Sequence, residues 1–252
     1  MSSLFLSRKR AGLFDPRTRL APTPPNFALA VSAMFLASAC GASRAPEPGP
    51  PHGEDSARGP LVHRFEHADQ WAPDFDDPAR DAWQRPTDVI DAMAIQPGMT
   101  VVDIGAGTGY FEPWLSRAVG GAGVVFALDV EPDMVRYLKE RVAREPLVNV
   151  RPALVPMDDP KFFAAGVDRV LIVDTWHHIP DREVYAAKLR RGLKVGGMAF
   201  VVDFKLDAKR GPPPQHRVAA EQIARELAAG GLSAQVAATS LPEQYVVVGT
   251  RL

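Results

Sequence analysis

The sequence has little cysteine and no excess of either charge. Cys40 is the only cysteine among 252 residues, which excludes a disulfide within the chain and a zinc site built on several cysteines. Lysine and arginine number 29 against 30 acidic residues, so the net charge is −1. Nucleic-acid-binding domains usually carry a basic excess, and we therefore expect no nucleic-acid partner. The folded part must rest on its hydrophobic core.

The first 40 residues differ in composition from the rest. They hold five basic residues and one acidic residue, and residues 27–39 form an uncharged, mostly apolar run that ends at Cys40. This run is shorter than the roughly 20 residues of a membrane-spanning helix and has the length of the apolar part of a signal peptide. Ala37, Ser38 and Ala39 are small side chains of the kind that a signal peptidase accepts. The segment therefore predicts export.

Cys40 and the run before it resemble a bacterial lipoprotein signal. The resemblance implies that Cys40 is the lipidated first residue of a mature periplasmic protein, attached through its lipid to a membrane of the cell envelope. Ala37 departs from the leucine that is usual three positions before the cysteine, and the basic region is long. A cytoplasmic protein with a mis-set start codon is the alternative. Removal of residues 1–40 leaves 24 basic and 29 acidic residues.

Composition divides the chain into three parts. Residues 1–40 are the predicted signal, and residues 41–60, rich in proline, glycine and charge, predict a disordered linker. Residues 61–252 are enough for one α/β domain with a substantial core. Within this domain we expect an N-terminal helical cap over residues 61–96 and the core over residues 97–252.

Apolar runs alternate with helical patterns through the folded part. The continuous runs predict strands buried on both faces, as in a doubly wound parallel sheet. The predicted strands are residues 99–104, 123–128, 148–154, 167–173, 198–204, 233–238 and 244–250. The predicted helices are residues 65–71 and 78–83 around a turn at 73–77, then 86–95, 111–119, 132–144, 181–193 with Asp181 as N-cap, and 216–229. Only residues 239–243 join the last two strands, so those strands must be antiparallel neighbours.

Residues 101–109 carry the most informative motif. They read as an apolar strand that ends near Asp103, then three glycines in the spacing G-x-G-x-G, which are Gly105, Gly107 and Gly109. Glycine is needed where the backbone adopts a positive φ or where a ligand lies against the main chain. Tyr110 occupies the position of the third glycine in the dinucleotide motif G-x-G-x-x-G, which disfavours a nicotinamide dehydrogenase.

The string resembles the first motif of class I S-adenosylmethionine (SAM)-dependent methyltransferases. The resemblance implies a Rossmann-like fold of seven strands, mostly parallel with an antiparallel last strand, with helices on both faces of the sheet, and SAM as cofactor. It implies that Asp103 orients the loop and meets the cofactor's ammonium through water. The implied cofactor-binding residues are Asp103, Gly105, Ala106, Gly107, Thr108, Gly109, Asp129, Val130, Met157 and Asp158.

Two of these assignments have alternatives. Asp129 ends the second predicted strand, where the family binds both ribose hydroxyls, but an acid before Pro132 can also serve a turn. Asp158 with Met157 is expected at the adenine, and Asp159 is the alternative for the adenine contact.

Residues 174–178, after the fourth strand, lie where such enzymes bring acceptor and cofactor together. Methyl transfer depends mainly on alignment and exclusion of water, and a base matters when the nucleophile carries a proton. His177, His178 and Asp174 are therefore the catalytic candidates, although packing and solvation can also explain both histidines. Adjacent histidines seldom bind one ion, so no metal is expected. The expected acceptor contacts are Tyr110, Trp83 and Trp176, with core packing of the cap as the alternative.

Two classes of function fit these motifs. The first is a SAM-dependent methyltransferase that acts on a small-molecule or lipid-like acceptor. The second is an exported, non-catalytic protein of the same fold that binds a nucleoside-like ligand or a partner. Export favours the second, because SAM is made in the cytoplasm, whereas the intact glycine motif with Asp103 and Asp129 favours the first.

Overall fold

A seven-stranded sheet organises the folded part of the chain. The computed structural model describes residues 65–162 and 166–252. The strand order is β3-β2-β1-β4-β5-β7-β6, in which β1 to β5 run parallel and β7 pairs antiparallel with both β5 and β6. The strands are β1 Thr100–Ile104, β2 Val124–Asp129, β3 Val150–Leu154, β4 Val167–Val173, β5 Leu193–Phe204, β6 Ser233–Ala237 and β7 Gln244–Thr250. The predicted sheet and its antiparallel last strand are confirmed.

Helices lie on both faces of this sheet and before its first strand. They are α1 Ala68–Phe75, α2 Asp81–Gln84, α3 Pro86–Met93, α4 Glu112–Val119, α5 Pro132–Arg144, α6 Arg182–Gly192 and α7 Ala220–Ala229. Short 3-10 turns cover Pro78–Arg80, Trp176–His178 and Pro214–His216. Within the described ranges no helix is both long enough and apolar enough to cross a membrane.

Two local predictions were wrong. The predicted turn at residues 73–77 starts too early, because α1 continues through Pro73 to Phe75, and Phe65, Trp71 and Phe75 hold it with ring centroids 5.2–5.8 Å apart. The last long helix begins at Ala220 rather than at residue 216.

The later start of the last long helix has a physical reason in nearby polar contacts, whereas the predicted N-cap of α6 is in place. Arg217 donates hydrogen bonds to carbonyls of the preceding loop, which holds residues 217–219 extended. Asp181 stands at the N-cap of α6, but it adopts a left-handed backbone and its side chain makes no capping bond.

The core has one layer on each face of the sheet, and β1 contributes to both. Val102 and Ile104 face α6 and α7 in one layer, whereas Val101 faces α3, α4 and α5 in the other. Side chains alternate along a strand, so Asp103 points into the same apolar layer as Val101. A carboxyl group there is costly unless something compensates it.

The predicted signal with Cys40 and the predicted linker lie outside the described residues. The carboxyl ends of β1 and β4, where the strand order reverses, form the crevice in which open α/β sheets bind ligands. The loops after β1, β2, β4 and β5 therefore build the site.

Candidate functional site

The glycine loop after β1 has a backbone that favours glycine at three positions. Gly105, Gly107 and Gly109 have φ of +75°, +57° and +91°. The N–H groups of Gly105 and Ala106 both donate to the carbonyl of Leu128, at 2.8 and 3.0 Å, which ties the loop to the end of β2. A Cβ on Gly105 would overlap the side chain of Thr175. The loop is thus packed from below and cannot accept a side chain at its first glycine.

Asp129 fixes the same loop from the end of β2. Its Oδ2 accepts the N–H of Gly107 at 2.8 Å, and its Oδ1 accepts the N–H of Glu131 at 2.9 Å. Burial raises the pKa of Asp129, against the lowering effect of these N–H donors. A carboxylate offers about four lone-pair sites, which is more than the backbone N–H groups of Gly107, Val130 and Glu131 occupy, so acceptor capacity is left for a ligand hydroxyl. Val130 beside it is 39% exposed.

The cap helix α1 reaches the loop through a second acid, Asp76. The hydroxyl of Thr108 donates to Asp76 Oδ1 at 2.9 Å, and Arg141 of α5 donates to the same oxygen at 3.0 Å. Arg141 also donates to the carbonyl of Thr108 at 3.0 Å. Phe75 lies 3.7 Å from the place of a Cβ on Gly107. Thr108 therefore holds the cap in place over the glycine loop.

Two buried carboxyl groups meet under the loop. Asp103 is 2% exposed and Glu112, the first residue of α4, is fully buried. Within the described part of the chain neither oxygen of Glu112 has a hydrogen-bond donor, and the two carboxyl groups lie close enough for each to shift the pKa of the other. Burial raises the pKa of Asp103 to about 7, against the lowering effect of its bond with Glu112. Burial and the charge of Asp103 raise the pKa of Glu112 well above its usual range.

The expected adenine contacts follow β3. Met157 is half-buried, and the Asp158 side chain is exposed with its carboxylate 3.8 Å from Lys188 Nζ. Asp159 accepts the backbone N–H of Lys161 at 2.8 Å, and this bond lowers its pKa. The carboxylate of Asp158 is therefore the freer of the two acids, and it stays the predicted contact.

A histidine and an acid form a dyad across β4 and β5. Nδ1 of His177 lies 3.0 and 3.2 Å from the two carboxylate oxygens of Asp203. The side chain of Asp203 is fully buried and that of His177 is 3% exposed, and Asp203 also accepts the N–H of Phe204 at 2.8 Å. The sequence analysis missed Asp203; its only signal was one acid inside the apolar run of β5.

Asp174 stands beside this dyad in a strained conformation. Its φ is +52°, in the left-handed region, where a residue with a Cβ is strained. Residues strained in this way cluster at functional sites. Burial, and then the charge of Asp203, raise the pKa of Asp174 to about 7, while Arg80 opposes the shift.

A chain of side-chain amides joins Asp174 to the helical cap. Arg80 donates to Gln84 Oε1 at 3.0 Å, Gln84 Nε2 donates to Gln244 Oε1 at 2.6 Å, and Gln244 Nε2 donates to Asp174 Oδ1 at 2.6 Å. Arg80 lies 3.9 Å from the other oxygen of Asp174, which closes a ring. Both glutamines are fully buried, and their bonding accounts for that burial.

The aromatic candidates have different surroundings. Trp83 stacks on Phe204 at 5.8 Å and Arg80 lies 4.1 Å over the ring of Tyr110, so both aromatic side chains stand near Asp174. Trp176 instead points into the core, where its ring nitrogen donates to Glu226 at 2.8 Å. The burial of Trp176 explains why the structure does not bring it together with the other acceptor candidates.

The second histidine lies between the dyad and the cap. The ring of His178 is 4.2 Å from that of His177 and 6.2 Å from that of Phe65. Across residues 65–162 and 166–252, no three histidine, cysteine or acidic side chains cluster as a metal site would require.

Comparisons with known proteins agree with this geometry. A family model described as a methyltransferase domain matches residues 101–197. The ubiquinone/menaquinone biosynthesis C-methyltransferase UbiE of Shewanella halifaxensis is 28% identical over 137 residues, which cover 54% of this chain and 51% of the relative. The demethylmenaquinone methyltransferase of Staphylococcus aureus is 31% identical over 118 residues, or 46% of this chain and 47% of the relative. This chain thus spans about half the length of these curated relatives.

A solved structure covers more of the fold. A SAM-dependent methyltransferase from Aquifex aeolicus has a TM-score of 0.68 and 26% identity, over 73% of this chain and 98% of that one. Residues 101–197 are therefore similar to methyltransferase domains, the fold matches that of a SAM-dependent methyltransferase, and the cofactor that these comparisons support is SAM.

Proposed function

We propose that this protein is a SAM-dependent methyltransferase that acts on a small-molecule or lipid-like acceptor. The observation that carries the proposal is the glycine loop bound to Asp129, because it combines a bare backbone with a buried carboxylate that keeps free lone pairs. The orphaned carboxyl of Glu112 under the loop also fits a cationic ligand group. The residues present therefore fit the cofactor.

Each cofactor residue has a distinct task in this proposal. Asp129 accepts the ribose hydroxyls, while Val130 and Met157 supply apolar surface for the adenine and Asp158 accepts from its amino group. The glycine loop, with Ala106 and Thr108, approaches the ribose and the amino-acid end. When bound, the cofactor supplies an activated methyl group at a sulfonium. The cap over the loop excludes water, which favours transfer to the acceptor over hydrolysis.

The dyad of His177 and Asp203 acts as a general base. Asp203 accepts the proton of Nδ1, which fixes the ring and leaves Nε2 as the proton acceptor. A base of this kind is useful only when the nucleophile carries a proton that must leave, as in a hydroxyl group or an acidic ring carbon. Trp83 and Tyr110 suit a flat ring, and the curated relatives include C-methyltransferases of ubiquinone and menaquinone biosynthesis. We infer that the acceptor is a phenol- or quinol-like molecule.

Calorimetric titration of SAM and S-adenosylhomocysteine into the purified protein tests the cofactor assignment. We expect micromolar binding, and Asp129→Ala should weaken it by about 10- to 100-fold through loss of charge-assisted hydrogen bonds, or about 1.5–3 kcal/mol. Equal affinity of Asp129→Ala and the parent would remove the ribose assignment. A folded protein that binds neither ligand would leave the non-catalytic alternative as the better function.

Methyl transfer from labelled SAM to a panel of phenols and quinols tests the base. His177→Ala should lower turnover by about 100-fold or more at unchanged SAM affinity, as expected for loss of a general base. His178→Ala is the matched control from the adjacent position, and it should lower turnover much less. The reverse order would move the base to His178.

We also propose that Cys40 is lipidated and holds the protein at a membrane of the cell envelope. The support is the apolar run before Cys40 and the small residues between them. Cys40→Ser should abolish processing and shift the protein out of the detergent phase on phase partition. Unchanged processing and partition would instead support the cytoplasmic alternative.

A further inference from the structure

The segment after β5, residues 205–217, brings an excess of positive charge to the acceptor side of the site. Its lysines and arginines are Lys205, Lys209, Arg210 and Arg217, and its one acid is Asp207. The segment begins directly after Asp203 and Phe204, of which the first contacts His177 and the second stacks on Trp83. Its charge therefore borders the surface on which the acceptor is expected to lie.

One arginine holds this segment in a defined conformation. The guanidinium of Arg217 donates hydrogen bonds of 2.7–3.2 Å to carbonyls of the segment itself, which are those of Lys205, Leu206, Ala208, Arg210 and Pro212. The N–H of Lys209 donates to Glu243 Oε2 at 2.7 Å, which ties the segment to the residue before β7. A Cβ on Gly211 would overlap the ring of Phe204. The segment thus packs on the aromatic stack and presents its exposed side chains from a fixed backbone.

These bonds satisfy donors of the segment without neutralising its charge. The bonds of Arg217 go to carbonyls, and Lys205 Nζ likewise donates to two carbonyls that precede β7. The side chains of Lys209 and Arg210 are exposed, and across residues 65–162 and 166–252 neither side chain makes a hydrogen bond or an ion pair. A cluster of cations without acidic partners attracts anions.

Arg210 lies beside the aromatic surface of the acceptor side. Its guanidinium is 5.9 Å from the ring of Trp83, which is half-buried and stacks on Phe204 at 5.8 Å. Arg80 approaches the same ring at 5.7 Å, but Asp174 opposes its charge at 3.9 Å. Of these two arginines, Arg210 is therefore the one whose donors stay available next to the ring. A guanidinium binds a carboxylate or a phosphate through two parallel N–H groups.

We propose that Arg210 determines acceptor specificity, and that the acceptor carries an anionic group, a carboxylate or a phosphate, which Arg210 binds with support from Lys209. This inference rests on the proposed function and narrows its acceptor to an anionic phenol- or quinol-like molecule. The acceptor ring packs against Trp83, its anionic group reaches Arg210, and its reacting hydroxyl or ring carbon faces His177. The carbonyl-bonded cations of the segment add attraction at longer range.

Binding of matched anionic and neutral phenols tests this inference without the need for turnover. The protein is saturated with S-adenosylhomocysteine and titrated by calorimetry with para-hydroxybenzoate, para-hydroxybenzylphosphonate and the neutral para-hydroxybenzamide. We expect at least one of the anions to bind about 10-fold more tightly than the amide, as for a hydrogen bond to a charged group. Its affinity should fall with added salt. Comparison of the two anions shows whether the site prefers a carboxylate or a phosphate group.

Variants at matched arginines show whether the preference comes from Arg210. Arg210→Gln should weaken binding of the anion by about 10-fold and leave the affinities for the amide and S-adenosylhomocysteine unchanged. Arg210→Lys should restore part of the preference, because it keeps the charge but not the paired donors. Arg117→Gln is the control, since Arg117 is also exposed and lies 5.6 Å from a tryptophan ring, that of Trp114 on α4. It should keep the preference of the parent.

The possible outcomes separate this inference from the proposed function. Equal binding of the anions and the amide, or an anion preference that survives in Arg210→Gln, overturns the inference and leaves the proposed function intact. The same conclusion follows if S-adenosylhomocysteine binds and none of the phenols does. Failure of S-adenosylhomocysteine itself to bind the folded protein overturns the proposed function as well.

Discussion

The two halves of the site are built in different ways. On the cofactor side, one stretch of nine residues and Asp129 produce the arrangement through backbone geometry, with positive φ at three glycines and N–H groups bonded to the end of β2. On the acceptor side, side chains from separate segments converge, namely Arg80, Gln84, Asp174, His177, Asp203 and Gln244. A backbone-built site tolerates no added atoms, whereas a site built from side chains depends on every bond of its network.

The largest expected effect comes from a substitution in the backbone-built half of the site, on the cofactor side. Gly105→Ala places a side chain at φ +75° and against Thr175, so the loop must move, and SAM affinity should fall by at least about 100-fold. Gly98→Ala is the matched control, with φ +88° but open space around it; it should cost about 1–2 kcal/mol of stability and leave affinity unchanged. Titration calorimetry and thermal unfolding measure both. Equal loss of affinity in the two variants would show that strain elsewhere, not the loop, controls binding.

The second effect separates turnover from binding on the acceptor side. Asp203→Asn removes the carboxylate that orients His177, and turnover should fall by about 100- to 10,000-fold with SAM affinity unchanged. Asp168→Asn, near the amino-terminal end of β4 and in an ion pair with Lys194, is the control for loss of an acid from the sheet. Loss of cofactor affinity in Asp203→Asn would mean that the two halves are not independent.

A third, smaller effect concerns the amide chain. Gln244→Leu leaves Asp174 without its donor and Gln84 without its acceptor, so unfolding free energy should fall by about 1–3 kcal/mol. Gln235→Leu, an exposed position on β6, should stay within about 0.5 kcal/mol of the parent. Denaturant titrations compare the two variants. A neutral Gln244→Leu would show that the network adds nothing to stability.

The smallest effect is a pH dependence of stability. The pKa of Asp174 rises from 3.8 to about 7 on folding because of burial, so the folded state binds more protons between these values. Unfolding free energy should therefore fall as pH rises through this window. Asp103 titrates in the same window, so the measured quantity is the difference between the parent and Asp174→Asn. If the unfolding free energies of the parent and of Asp174→Asn change with pH in parallel, the pH dependence of stability comes from other groups.

The difference between the backbone-built half and the side-chain-built half of the site also determines what could be predicted from the sequence. The positions of the strands, the antiparallel pairing of β6 and β7 and the glycine loop follow from local patterns, because apolar runs, short connections and glycine spacing act over neighbouring residues. Asp203 and Gln244 lie in strands whose apolar pattern hides them, and Gln84 belongs to a short helix. Their roles arise from contacts between positions up to 160 residues apart, which no local pattern encodes.

The orientation of single side chains was also beyond a local pattern. Trp176 and His177 are adjacent, yet one points into the core and the other toward β5. Glu112 looks like an ordinary acid in the first turn of a helix, where a carboxylate favours the dipole. Its burial is visible only once β1 and α4 are packed together.

The amide chain from Arg80 to Asp174 has a direction, because each carboxamide accepts at its oxygen and donates at its nitrogen. The cap can dock only in the register that presents Arg80 and Gln84 to Gln244. In a chimera, a cap grafted from a protein of the same fold would therefore bring its acceptor pocket intact only if equivalents of both residues came with it. A swap of the cap that is meant to exchange acceptor specificity must therefore include every residue up to Gln84, but it need not extend to the start of β1.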